Sequence, residues 1–350
     1  MIMNRISRVL ILALSLQFVS PNAIAQWTQS NFPVTHTVTD LLFFGNSLFV
    51  ATSDAGIFQT QNFTTWTPSN TGLTTSQINE VITAIEGSNV TLYAATDAGI
   101  FRSTLLGYNW TPVNNGLGSL NAGTVFSNGS ILYAGTSGGA FRSADFGQSW
   151  TPMPIGLPTQ QVRCFHQSGI YLFAGLSGQG NYLYRSSDQG LNWEPYGNGI
   201  YETGQIMELD YELFAVSITL IYTSTDQGAN WNPAGPGLVP GMPVSDVTTG
   251  DDYWWVATFA GGYVQHTDSS HFRMITATMP MGGMNLTAVA QNSNWIVYGT
   301  LNNGIWYASE NIVTGIQPAT TEIPDVSIFP NPARERIQVS IEGLSEEECT

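Results

Sequence analysis

The amino-acid sequence predicts an all-β fold, a seven-bladed β-propeller whose N-terminal strand closes the last blade. Three observations carry this expectation. One phrase recurs: RSADFGQSWTP from Arg142, RSSDQGLNWEP from Arg185 and TSTDQGANWNP from Thr223. An aromatic-aliphatic run recurs at roughly 40-residue spacing, the range of propeller blades. Its seven copies are LFVAT at Leu48, LYAAT at Leu92, LYAGT at Leu132, LFAGL at Leu172, LFAVS at Leu213, WWVAT at Trp254 and IVYGT at Ile296. Finally, the last copy, GIWYASENIV, lacks the closing Trp strand of the others, while the chain carries a spare one, QWTQSNFP, at Gln26 to Pro33.

Within a unit, each strand has its own signature. A first strand alternates apolar and polar residues, as in INEVITAI from Ile78 to Ile85, and the aromatic-aliphatic run is the second. After a glycine-rich turn come GIF, GAF, YLY, LIY or GIW as the third, and a fourth begins at Trp66, Trp110, Trp150, Trp193 or Trp231. Short strands, many turns and no helical period exclude an α/β chain. Trp27 would supply the missing outer strand of blade seven and leave that blade no open edge. We expect a monomer.

The chain of 350 residues is 43% hydrophobic, enough to bury a large core. Its nine basic residues, all Arg, face 25 acids, a formal net charge of -16. Such a surface repels polyanions, so nucleic acid and anionic membranes are excluded as partners. Arg5 and Arg8, the apolar run VLILALSLQF and Ala23-Ile24-Ala25 read as a signal peptide over residues 1–25. That run falls short of the about 20 residues a membrane span needs, and no transmembrane segment is expected elsewhere. Two cysteines, Cys164 and Cys349, make no disulfide framework, and Cys164 reads as a small buried apolar residue.

The recurring phrase resembles the Asp box, or BNR repeat, of sialidase-like and sortilin-like β-propellers. Ser143, Asp145, Gly147 and Trp150 match S-x-D-x-G-x-x-W, as do Ser186, Asp188, Gly190 and Trp193, and Ser224, Asp226, Gly228 and Trp231. Other blades depart from it: Leu105 replaces the Asp in STLLGYNW, TQNFTTW from Thr60 is shortened, and HTDSSHF from His266 keeps only Asp268. The resemblance implies a structural turn between third and fourth strands, with no catalytic or metal role for its Asp residues. Arg102, Arg142 and Arg185 precede the box at one repeat-equivalent position and read as structural rather than as a substrate clamp.

After the propeller, residues 26–313, comes a Pro/Thr linker, 314–324, and then DVSIFPNPARERIQVSIEGL within 325–350. This last segment, with Phe329, Pro330, Asn331 and Pro332, resembles the start of the C-terminal sorting domain of the Bacteroidetes type IX secretion system, of which we expect only part here. The resemblance implies passage across the outer membrane and a secreted or cell-surface location, with the secretion machinery as a partner.

Catalytic chemistry is sparse. Asp54 and Asp97 sit in the SDAG and TDAG turns between second and third strands, and Glu202 lies in the longer loop YGNGIYETGQ. A glycoside hydrolase needs two carboxylates about 5–9.5 Å apart, and these three are the candidates for one. The Phe-Arg-Ile-Pro motif that resemblance to sialidases would imply is missing. His266 and His271 flank Asp268 in a degenerate turn and read as turn residues, while Trp254 and Trp255 read as core. No cofactor and no metal site is expected. The expected function is a non-catalytic binding or scaffold protein for an extracellular protein or glycan, the alternative a glycan-degrading hydrolase.

Overall fold

Leu132–Thr136, the LYAGT run, is buried at every residue. That pattern suits a strand in the middle of a sheet with other sheets packed on both of its faces. In blade three it lies between Ala122–Ser127 and Gly139–Ser143, and the two-residue strand Thr151–Pro152 finishes the sheet. The same antiparallel meander repeats, giving seven four-stranded sheets in all. The computed structural model describes residues 27–310, apart from 87–88, 154, 178–181, 201–202, 210, 218–219, 235–242, 251–252, 267–271, 277–278 and 280–284, together with two further strands near the C-terminus.

The innermost strands form the ring: Val38–Phe44, Ile78–Glu86, Ala122–Ser127, Val162–Ser168, Gln205–Leu209, Val244–Thr249 and Leu286–Gln291. Each packs on the next, and the seventh packs on the first. The close approach is set by small residues. A Cβ on Gly135 would lie 2.5 Å from the Val162 carbonyl oxygen, and one on Gly299 would lie 2.3 Å from Val38 Cγ1. Every inner strand except that of blade five carries a β-bulge near its start, which bends it at the hub.

The spare strand closes the ring as the sequence predicts. Thr28 pairs with Tyr307 and Gln29 with Trp306, so the sheet order of blade seven runs from the chain's start to its third, second and first strands. Trp27 is buried and donates its indole N–H to Ile275 O of blade six at 3.0 Å. Between the blades lie separate apolar clusters, each fed by two neighbouring sheets; one holds Tyr93 and Ile100 of blade two with Leu132, Phe141 and Trp150 of blade three. Trp254 and Trp255 are buried, as is Cys164. The ring occupies Gln26–Glu310; outside it, Ser327–Phe329 pairs antiparallel with Gln338–Ser340. No helix among the described residues is long and apolar enough to cross a membrane.

Candidate functional site

The rim turns are built alike in blades three, four and five. Ser143 Oγ donates to Asp145 Oδ1 at 2.7 Å and accepts from Gly147 N at 2.8 Å, while Asp145 Oδ1 also accepts from Ser149 N at 2.9 Å. Ser186, Asp188, Gly190 and Asn192 repeat this set, and so do Ser224, Asp226, Gly228 and Asn230. Two successive positive φ angles, 58° at Phe146 and 85° at Gly147, make the turn, and the second favours glycine. Trp150 Nε1 reaches Val113 O of the preceding blade at 2.7 Å, so this turn also ties a seam; Trp193 and Trp231 bond Gly190 O and Gly228 O of their own turns. The Asn230 N–H, followed by the Asn230 amide and the Ser224 hydroxyl, pulls Asp226 down to about 2. Asp188 is held below the usual carboxylate range by Asn192 first.

Two of the three arginines that precede the turns end on partners in their own blades, while the buried Nε of Arg142 has no hydrogen-bond partner among the described residues. Arg102 forms a two-nitrogen ion pair with Glu86. Arg185 pairs with Glu194 at 2.6 Å and stacks 3.6 Å from the Tyr196 ring centre and 4.4 Å from that of Tyr171.

Of the three candidate catalytic acids, two are described. Asp54 is exposed and pairs with His36 Nδ1 at 3.0 Å; Asp97 is exposed and accepts from the Thr75 hydroxyl. Each sits in the second-to-third turn of its own blade, held by the loop that abuts it. Glu202 lies outside the described residues, as do Asp268, His271, the side chain of His266, and Pro330, Asn331 and Pro332.

The acids that sequence reasoning missed lie at the hub. Asp40, Glu80 and Asp246 occupy the bulge of the first strand in blades one, two and six. Asp40 Oδ1 accepts from Leu41 N at 2.8 Å and Oδ2 from Val81 N of the next blade at 2.7 Å. Glu80 Oε2 accepts from Val125 N at 2.7 Å, and Asp246 Oδ2 from Val289 N at 2.8 Å, again across a seam. In blade five Gln205 does this with a neutral amide, bonding both Val247 N and Val247 O. Burial raises all three acids: Asp40 to about 6, Asp246 to about 7, and Glu80, which also feels the charges of Asp40 and Asp246, to about 8. One step further along the strands, His166 stands 3.8 Å from Glu208 of the next blade, and burial lowers its pKa. The trace of this set in the sequence is faint: an acid two places after the first apolar residue of the strand, as in VTDLLF, INEVITAI and VSDVTT, in three of seven blades.

Among the described residues are two cavities of note. One of about 220 Å³ lies on the loop side, lined by Gly56, Asn70 and Leu73 to Ser76. One of about 610 Å³ lies at the opposite end, between blades one and two, with Phe44, Asn46, Gln59, Gln61, Leu106 and Tyr108 among its walls. Neither lining contains a carboxylate. Among the described residues no cluster of His, Cys, Asp and Glu could hold a metal ion.

No protein-family model matches the chain, and no curated protein does. Solved structures do. The extracellular domain of a hybrid two component system from B. thetaiotaomicron superposes with a TM-score of 0.68 at 16% identity, over 92% of this chain and 46% of that one. The GH74 xyloglucanase from Xanthomonas campestris gives 0.59 at 16% identity, over 81% of this chain and 53% of that one. YCF48 from Cyanidioschyzon merolae gives 0.60 at 15% identity, over 81% of this chain and 98% of that one, and a further structure holds YCF48 bound to D1 peptide. The chain spans about half the length of that extracellular domain and of the xyloglucanase, and at these identities the likeness shows the propeller fold alone.

Proposed function

We propose that this protein is an exported binding propeller that holds a protein or glycan outside the cell without turning it over. The observation that carries the reading is the disposition of its acids. Asp54 and Asp97 are separately engaged by His36 and Thr75, the hub acids bond the N–H groups of neighbouring blades, and the cavity of about 610 Å³ has no carboxylate in its wall. Hydrolysis of a glycosidic bond needs one carboxyl to give a proton and another to attack or to activate water, both beside the sugar. A cavity walled by amides, hydroxyls and aromatic rings supplies binding without either step. The likeness to extracellular sensor domains and to YCF48 with its peptide supports this reading, and the likeness to GH74 enzymes favours the alternative, a hydrolase using Asp54 and Asp97.

The test is to incubate the full chain with a panel of neutral and acidic polysaccharides and assay new reducing ends. The expected result is none above a heat-denatured control. Release that Asp54→Asn or Asp97→Asn abolishes would establish the hydrolase instead.

Export belongs to the same proposal. The signal peptide over residues 1–25, the linker at 314–324 and the IFPNP segment are in the order a type IX passenger requires, and the rim acids Asp145, Asp188 and Asp226 are turn residues that take no ligand in this reading. Expression in a type IX-competent host, with and without the residues after Glu322 and with a completed sorting domain in the longer form, tests it. Only the longer form should reach the medium or the cell surface. Equal amounts of both outside the cell would remove the sorting role.

A further inference from the structure

The groove of about 610 Å³ between blades one and two sits at the end of the molecule that carries the rim turns, away from the loops that hold Asp54 and Asp97. It is formed where two successive rim turns depart from the repeated phrase. At the position of Asp145, blade one has Asn62, whose Oδ1 accepts from Thr64 N at 3.0 Å and Thr65 N at 2.8 Å, and blade two has Leu105. Both departures remove a negative charge from this seam. In a chain of net charge -16, the wall that results contains no Asp, Glu, Arg or His.

What replaces the charges is specific in kind. The side-chain amides of Asn46 and Gln59 and the hydroxyls of Thr65 and Thr67 line the groove and make no hydrogen bond to any described residue, so they face solvent with donors and acceptors open. Tyr108 is 70% exposed, and Leu106 beside it 44%. The position of Tyr108 in the repeat is that of Leu191 in blade four, so the aromatic ring is particular to this seam. Half-buried Phe44 closes the inner end. Open amides and hydroxyls match a ligand dense in hydroxyl groups, a free aromatic face matches the C–H face of a sugar ring, and a volume of this size accommodates a few sugar residues.

We propose that this groove is a binding site for a neutral oligosaccharide. The inference rests on the binding-protein reading above and deepens it by naming the ligand class and the place. Charged glycans lack a cationic partner here, and an extended peptide, whose backbone also pairs with amides, is the competitor that the experiment separates.

The experiment uses the full chain and calorimetric titration with neutral hexaoses of β-1,4-glucan, α-1,4-glucan and β-1,4-xylan, with oligogalacturonate as the charged comparison and an immobilised decapeptide library as the peptide comparison. At least one neutral hexaose should bind, with an affinity unchanged between low and high salt. Tyr108→Ala and Gln59→Ala, both at sites outside the core, should each weaken it about tenfold or more, as loss of a stacking face or a paired amide does. Leu191→Ala, at the equivalent place in blade four, should leave binding unchanged. Binding that prefers oligogalacturonate or a peptide, or no binding of any neutral hexaose, would overturn the proposal. Full-strength hexaose binding by folded Tyr108→Ala and Gln59→Ala would remove the groove while leaving the binding protein standing; reducing ends released from the bound hexaose would instead remove the non-catalytic reading.

Discussion

The rim and the hub of this propeller use the same device and obtain opposite acids from it. At both, a carboxylate accepts backbone N–H groups: Asp226 from Asn230, Asp40 from Leu41 and Val81. Asp226 ends near 2 and Asp40 near 6. Three hydrogen bonds at Asp226 against two at Asp40 account for part of the difference, yet two backbone bonds alone would hold Asp40 low. Surroundings make up the rest. The rim acids keep their hydration and add bonds that favour the charged form, whereas the half-buried hub acids give up part of theirs to the inner strands and repel one another across the ring. A turn clamp and a seam clamp of like chemistry therefore respond to pH in opposite directions.

The largest break in the comparison comes from packing rather than charge. Trp150→Ala empties a buried seam and removes the bond to Val113 O, and it should cost about 3–5 kcal/mol in urea unfolding at neutral pH. Next comes the hub. Glu80 keeps its proton in the folded chain up to about 8, while the unfolded chain releases it near the ordinary glutamate value of 4.5. Folding thus takes up a proton between those values, so stability is full below the lower one and falls as pH rises toward the higher. Glu80→Gln should flatten that fall by on the order of 2–4 kcal/mol between the two ends of the window, checked by unfolding curves at a series of pH values. An unchanged slope would mean that the hub is wetter than its packing implies.

At the rim the sign reverses. Asp188 is held low, so its contribution is present above the unfolded carboxylate value and is lost as pH falls through the folded one. Asp188→Ala should cost about 1–3 kcal/mol at neutral pH, the loss of turn N–H partners, and the gap to wild type should close in acid. The smallest effect sharpens the comparison from the other side. Leu105→Asp restores a rim acid where Ser103 Oγ already holds Gly107 N, and a gain of about 0.5–1 kcal/mol is expected in a thermal melt.

The ring was legible because its parts are repeated words. LYAGT-like strands must be buried on both faces in every blade, so the same residue types recur and can be counted, and the unmatched Trp27 strand announces its partner by the gap it fills. The hub was not legible for the converse reason. The position opposite Ala51, Ala95, Gly135, Gly175, Ala215, Ala257 and Gly299 is filled by Asp40, Glu80, Thr124, Cys164, Ile206, Asp246 and Ala288, six residue types at seven places around a narrow ring. No repeated word marks it. The groove was hidden too, since it arises where the phrase fails in two neighbouring turns, and a departure reads as decay until the two turns are seen side by side.

The pairing of Thr28 with Tyr307 also has a history in time. Trp27 emerges among the first residues of the ring, yet its hydrogen-bond partner Ile275 lies 248 positions later, so the clasp cannot shut until almost the whole ring has been made. Blades one to six can each condense from near neighbours along the chain, but blade seven must recruit its outer strand from the far end, at the entropic expense of closing a loop of almost the whole ring. Until that moment the edge of Ile305–Ser309 is unpaired, and afterwards Thr28–Gln29 covers it. A chain still being made is thereby kept from locking early, and becomes a finished ring only when Tyr307 has arrived.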